Sequence, residues 1–212
     1  MINQSFPRSV MLGRADSSQL KELIEECPNI SEIRKAPETV QFFLGLTPAE
    51  QSEWVKELMS RTIYATNSEV AVCVLDSGVN NGHPLIHPIL SDKDCMTYNP
   101  IWGVSDTREH GTLMAGLCGY GDIQALLESP DGIILSHILE SVKILPPAGD
   151  NEAKHDGFIT IQSVSRAEIE NPEYNRIICM AVTRESSPRG IPASWSGAID
   201  ALCSGSFDGY PF

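Results

Sequence analysis

The chain has 212 residues, a formal charge of -13 from 28 acids and 15 bases, and 42% apolar against 20% charged residues. That length suits one ordinary domain with at most a small appendage, and the mixture is globular rather than disordered. The acidic balance argues against a nucleic-acid or an anionic membrane partner, which both need basic surface, and no apolar run approaches the ~18 residues of a membrane span.

The opening residues, MINQSFPRSVMLGRADSS, show no basic stretch followed by an apolar one. No signal peptide is read there, and a cytoplasmic location is expected. Asp16 or Ser17 is placed to cap a helix whose Leu20, Leu23, Ile24 and Cys27 fall on one face, with Pro28 stopping it. NISEIRK at 29–35 alternates like a short strand. Thr47, Pro48 and Glu50 form a capping-box start for a helix at 47–61, with Trp54, Val55, Leu58 and Met59 as its apolar stripe. YATNSE at 64–69 reads as a linker. Residues 1–69 are thus expected to form a small α-rich appendage, apart from residues 70–212.

From residue 70 the pattern changes. VAVCVL at 70–75, SVKIL at 141–145 and RIICMAV at 176–182 are short, almost wholly apolar runs. Such runs suit parallel strands buried on both faces. HGTLMAGL at 110–117 is small and apolar on all sides, which predicts an interior helix. Phe158, Ile161, Val164, Ser165 and Ile169 predict an amphipathic helix facing a sheet. The alternation predicts an α/β fold, a parallel sheet with helices on both faces and functional groups at the carboxyl ends of its strands.

The six cysteines include no CxxC pair and no zinc-like spacing with histidine. Cys73 and Cys179 lie within apolar runs and read as small buried hydrophobes. Six reduced thiols are expected.

Two residues stand out for chemistry. Asp76 ends the first apolar run, and His110 opens the interior helix 34 residues later. A carboxylate at a strand tip facing an imidazole at a helix start fixes the ring tautomer and stabilises the imidazolium once it takes a proton. The competing readings are a turn organised by Asp76 and a helix start made by His110.

The segments VAVCVLDSGVNNGHPLI and HGTLMAGLCGYGD resemble the aspartate and histidine motifs of the subtilisin-like serine peptidases, the subtilases. They occur in the order Asp, His that this family uses, and VKIL at 142–145 resembles its strand after the histidine helix. The resemblance covers about residues 70–203 and implies a subtilisin-like fold and peptide-bond hydrolysis. Asp76 would then orient His110, which would act as general base and then as general acid. Gly78 and Gly111 would allow close backbone approach, with Thr112 and Ala115 packed beneath. Met180, Ala181 and Val182 resemble the strand that lines the substrate cleft and pairs with an extended peptide. They also suit an ordinary core strand.

The chain departs from the family pattern by holding neither G-T-S-x-A-x-P nor S-x-G-N. Ser204 and Ser206 lack the setting of a subtilase nucleophile. The expectation is the N-terminal portion of a subtilase, truncated before its serine motif and inactive as this chain. The alternative is a non-catalytic binding or regulatory half-domain that needs a completing chain. The closest resemblance is to signal-less bacterial subtilases, which implies a peptide or protein substrate and makes an AAA-type ATPase partner conceivable. The run SSQLKELIEECPNISEIRK resembles a subtilase propeptide ending, or is an accessory subdomain. No cofactor or metal is expected. His83 and His87 read as loop with Pro84 between them, or as a metal pair. His137 and His155 show no partners in the sequence. Asp92, Asp94 and Asp106 match no spaced calcium motif and read as solvated surface.

Overall fold

The computed structural model describes residues 15–30, 33, 45–65, 67–183 and 192–205. Most of the NISEIRK strand reading, and Ser206, lie outside these residues. The chain divides into two compact units, residues 1–47 and 48–212. In the first, α1 (Ser17–Glu26) carries a full capping box. The Asp16 carboxylate accepts from the Ser18 and Gln19 amides at 2.9 Å, and the Gln19 side chain accepts from the Asp16 amide. The helix buries none of its residues, and its stripe residues Leu23 and Ile24 stay exposed.

The second unit opens with α2 (Pro48–Ser60) and β1 (Thr62–Tyr64). Leu58 of α2 is fully buried in the main core, flanked by Val55 and Met59, as the apolar stripe predicts. Packing places α2 and β1 in the same unit as the sheet, so the compact boundary falls at residue 47. β2 (Val70–Asp76), β3 (Cys95–Thr97), α3 (His110–Tyr120) and α4 (Ile123–Glu128) follow. Next come β4 (Ile133–Leu135), β5 (Ile138–Lys143), α5 (Asp156–Glu170), β6 (Asn175–Cys179) and α6 (Ser194–Cys203). No helix among the described residues is long and apolar enough to cross a membrane.

Among the described residues the main sheet has four parallel strands in the order β3-β5-β2-β6, and β1 pairs with β4 in a second, two-stranded parallel sheet. This is the α/β architecture expected from the sequence. β2 is interior and covered on both faces, which is why its apolar run does not alternate. Val74 joins one core with Ala115, Ile86 and Leu139; Cys73 and Leu75 join the other with Val142, Ile159 and Val164. α3 covers the first face, and α5 with α6 lies on the second.

Two helix faces differ from the sequence expectation. α3 is not interior on all sides: Leu113 and Leu117 are 68% and 55% exposed. It buries Gly111, Ala115 and Gly119, a row of small residues four apart that lets the helix approach closely. A Cβ at Gly119 would lie 2.6 Å from Ile89 Cδ1. α5 buries Ile159, Thr160, Ser163, Val164 and Ala167, and leaves Phe158 and Ile169 exposed. Its buried arc is widened by α6: a Cβ at Gly157 would lie 2.9 Å from Ala198 Cβ, and Trp195 Nε1 donates to Thr160 Oγ1 at 2.8 Å. Small and polar residues serve this second neighbour, so the face cannot be found from apolar spacing alone. The RIICMAV run is strand only to Cys179, with Met180, Ala181 and Val182 continuing beyond β6 without strand pairing.

Candidate active site

β2 delivers Asp76 to the carboxyl edge of the sheet with its side chain 1% exposed. The chain then turns through Ser77 and Gly78, where φ is +93°. A side chain at Gly78 would be strained by that φ, and its Cβ would lie 2.4 Å from the Val104 carbonyl oxygen. Gly111 faces the same turn, where a Cβ would lie 2.0 Å from the Gly78 carbonyl oxygen. The two glycines let the start of α3 rest directly on the end of β2.

That contact brings Asp76 and His110 together. His110 Nδ1 lies 3.0 Å from Asp76 Oδ1 and 2.9 Å from Oδ2. The Ser77 amide donates to Asp76 Oδ1 at 2.7 Å. A buried carboxylate at this distance holds the proton of neutral His110 on Nδ1 and leaves Nε2 as the acceptor. The imidazole itself is half exposed. The arrangement can accept a proton from a hydroxyl placed at Nε2 and stabilise the resulting imidazolium.

Asp106 fixes the helix start that carries His110. Glu109 precedes the helix with φ +67° and gives no side-chain cap. Tertiary neighbours cap the first turn instead. Asp106 Oδ2 accepts from the Thr112 amide at 2.8 Å and from Thr112 Oγ1 at 2.7 Å, and Asp106 Oδ1 accepts from Ser77 Oγ at 2.8 Å and the Arg108 amide at 2.9 Å. The Gly111 amide donates to Ser77 Oγ at 3.2 Å. A carboxylate at the positive end of the helix adds a favourable charge–dipole term. Burial alone would raise the Asp106 pKa, but hydrogen bonds from Thr112, the Arg108 amide and Ser77 outweigh it and hold the carboxyl below its ordinary value. This corrects the solvated-surface reading of Asp106. Asp94 departs from it as well, being buried and accepting from Ser91 Oγ at 2.6 Å.

Lys143 holds the same loop from below. It is 0% exposed, and its Nζ donates to the Ser105 carbonyl at 2.6 Å and contacts Thr107 Oγ1 at 3.3 Å. Burial lowers its pKa, against the pull of Asp106. Neither Asp106 nor Lys143 was marked as a site residue by the sequence. The available signal was an acid four residues before His110, in reach of the first turn of its helix.

A cleft of about 600 Å³ opens beside His110. Ile144, Leu145, Ile159, Ala181, Val182 and Trp195 supply its apolar walls, with Arg108, Asp150 and Asp156 among its polar ones. Arg108 is tied down by the Pro146 carbonyl at 2.9 Å, the Gly149 carbonyl and Asp150 at 3.4 Å. Of the three residues read as cleft strand, Ala181 and Val182 line this space, while Met180 packs on the second core.

Residues 67–209, 143 of the 212, match the Subtilase family. The chain belongs to the subtilase family. No significant match was found among curated proteins or among solved structures. The match spans both motifs that carried the resemblance, around Asp76 and His110.

The other histidines sit apart from this centre. His83 lies in a turn-rich loop, where its Nδ1 accepts from the Leu85 amide at 3.2 Å. His137 Nε2 donates to the Cys118 carbonyl at 2.9 Å. Among the described residues, no group of three or more His, Cys, Asp or Glu is arranged to hold a metal ion. All six cysteines are free thiols, with Cys73 buried and Cys179 half-buried.

Proposed function

We propose that this chain supplies the Asp–His half of a serine endopeptidase centre. Asp76 orients and polarises His110, and His110 Nε2 takes the proton of a serine hydroxyl and later passes it to the leaving amine. The observation that carries this reading is the buried Asp76 carboxylate, with both oxygens within 3.0 Å of His110 Nδ1 beside an open cleft. Ala181 and Val182 form one wall for an extended peptide. The serine and an oxyanion donor come from outside these 212 residues, on further residues or on a completing chain. In subtilisin, a member of this family, loss of the nucleophile lowers turnover about 10⁶-fold, and an oxyanion donor is worth a further ~10²–10³. The 212-residue chain alone is therefore inactive in this reading. Its location is the cytoplasm, and an ATPase partner is a further proposal, carried by the family resemblance.

A second reading, a binding or regulatory half-domain, is favoured by one observation. Among the described residues β6 is the outermost strand on its side of the sheet, and Ile177 on it is 62% exposed. Leu113 and Leu117 of α3 are also exposed. Such an edge and face suit another polypeptide segment.

Fluorophosphonate labelling separates the two readings. The 212-residue chain should not label. A form completed with a serine-bearing segment should label at that serine, and Asp76→Ala or His110→Ala should abolish it. Stoichiometric labelling of the 212 residues alone would overturn the assignment of an external nucleophile. A completed form that binds its partner segment yet never labels would favour the half-domain reading.

A further inference from the structure

Two thiols that the dyad does not use meet between the histidine helix and the sheet. Cys118 lies on α3, eight residues beyond His110, and Cys179 ends β6. Cys179 pairs in register with Val74, which faces the core beneath α3, so Cys179 faces α3 as well. The heights also agree. Gly111 rests on Gly78. From there the helix travels ~10 Å to Cys118 at about 1.5 Å per residue, while the strand runs back ~13 Å to Val74. Cys118 packs against the same core as Val74, close enough to Cys179 that, after burial, that thiol raises its pKa. Both residues are half-buried, within reach of a small oxidant. Cys73 directly precedes Val74 on β2 and so points into the core on the other face.

We propose that Cys118 and Cys179 are a reversible oxidation site that closes to a disulfide and staples the histidine helix to β6. Burial and the Cys179 contact push the Cys118 thiol up to about 12. With hydrogen peroxide as oxidant, the Cys179 sulfur attacks one peroxide oxygen and the O–O bond breaks. Cys179 becomes a sulfenic acid, and the departing hydroxide leaves as water with the Cys179 proton. The Cys118 sulfur then attacks the Cys179 sulfur, the S–O bond breaks, and the second hydroxide takes the Cys118 proton. Two thiols and one peroxide give one disulfide and two waters. The link fixes α3, which carries His110, to the strand that leads into Ala181 and Val182 of the cleft.

The test uses the full chain with Cys27→Ser and Cys203→Ser, since those two thiols are exposed and bridge molecules together. The reduced protein is treated with one equivalent of hydrogen peroxide and digested with trypsin without reductant. The expected product joins the peptide 109–143 to the peptide 177–184, less two hydrogens, and dithiothreitol separates them. The oxidised protein should melt about 5–10 °C higher than the reduced one, because the bridge restrains the unfolded chain. Cys118→Ser should remove both the link and the shift. Four titratable thiols after peroxide, a link between any other pair, or a sulfinic acid on Cys179 with Cys118 still free would each overturn the proposal.

Discussion

Asp106 accepts hydrogen bonds from Ser77, Arg108 and Thr112, and so joins the turn after Asp76 to the first turn of the helix that starts with His110. Removing that carboxylate leaves several partly buried donors without their acceptor. Asp106→Ala is expected to destabilise the fold by about 2–3 kcal/mol, as read by urea unfolding at neutral pH. The pH dependence has a definite sign. The folded pKa lies below the unfolded value of about 3.9, so the folded state holds the proton less readily. The contribution is therefore complete above about pH 4 and is lost as pH falls through the lowered folded value. Asp106→Asn should remove that part of the acid dependence, and the stability gap to the parent should narrow in acid. Asp76 and His110 were legible in the sequence because each sits in a motif defined by its immediate neighbours. Asp106 was not, because its bond to Ser77 reaches a turn 29 residues away that only the fold brings to it.

At the scale of elements, a buried charge pair clamps the second face of the sheet. Glu140 of β5 is fully buried, and Arg176 of β6 donates to it through Nε and Nη2. Asn171, after α5, donates to Glu140 at 2.8 Å, and Arg176 also donates to the Ala167 and Asn171 carbonyls at 2.9 Å. The cluster therefore ties two strands to the end of α5. Breaking one side strands a charge: Arg176→Met should cost about 3–5 kcal/mol. The double variant Glu140→Leu with Arg176→Met should recover much of that loss, because the desolvation penalty goes with the pair. A double-mutant cycle in urea measures both, and a double variant as unstable as the sum of the singles would refute this account. β2, β5 and β6 were legible from the apolar runs at 70–75, 141–145 and 176–182, whereas β1, β3 and β4, three residues each, are too short to give such a run. The working face of α5 was not: Phe158 and Ile169 carry the strongest apolar signal yet face outward. Gly157, Thr160 and Ser163 are buried because two layers press on that helix, a property of the assembly and not of its own period.

At the scale of the whole molecule, exposed apolar residues on β6 and α3 bear on behaviour in solution. Leu113, Leu117 and Ile177 together expose apolar surface of a kind that promotes association. The double substitution Leu113→Glu with Leu117→Glu should leave the melting temperature nearly unchanged and shift light scattering toward the monomer, since neither side chain is in the core. A parent chain that is already monodisperse at high concentration would contradict that expectation. The parallel sheet has a further consequence, one of time. Every ladder among the described residues joins strands far apart in the chain: β2 pairs with β5 and β6 and has no hairpin neighbour. When a ribosome has released β2, its first partner begins at residue 138, 62 positions beyond Asp76. At about 5–20 residues per second, the most apolar strand waits ~3–12 s without a ladder. During that interval VAVCVL is bare chain of the composition that chaperones bind, and the centre built on Asp76 cannot assemble until synthesis has passed well beyond the histidine helix.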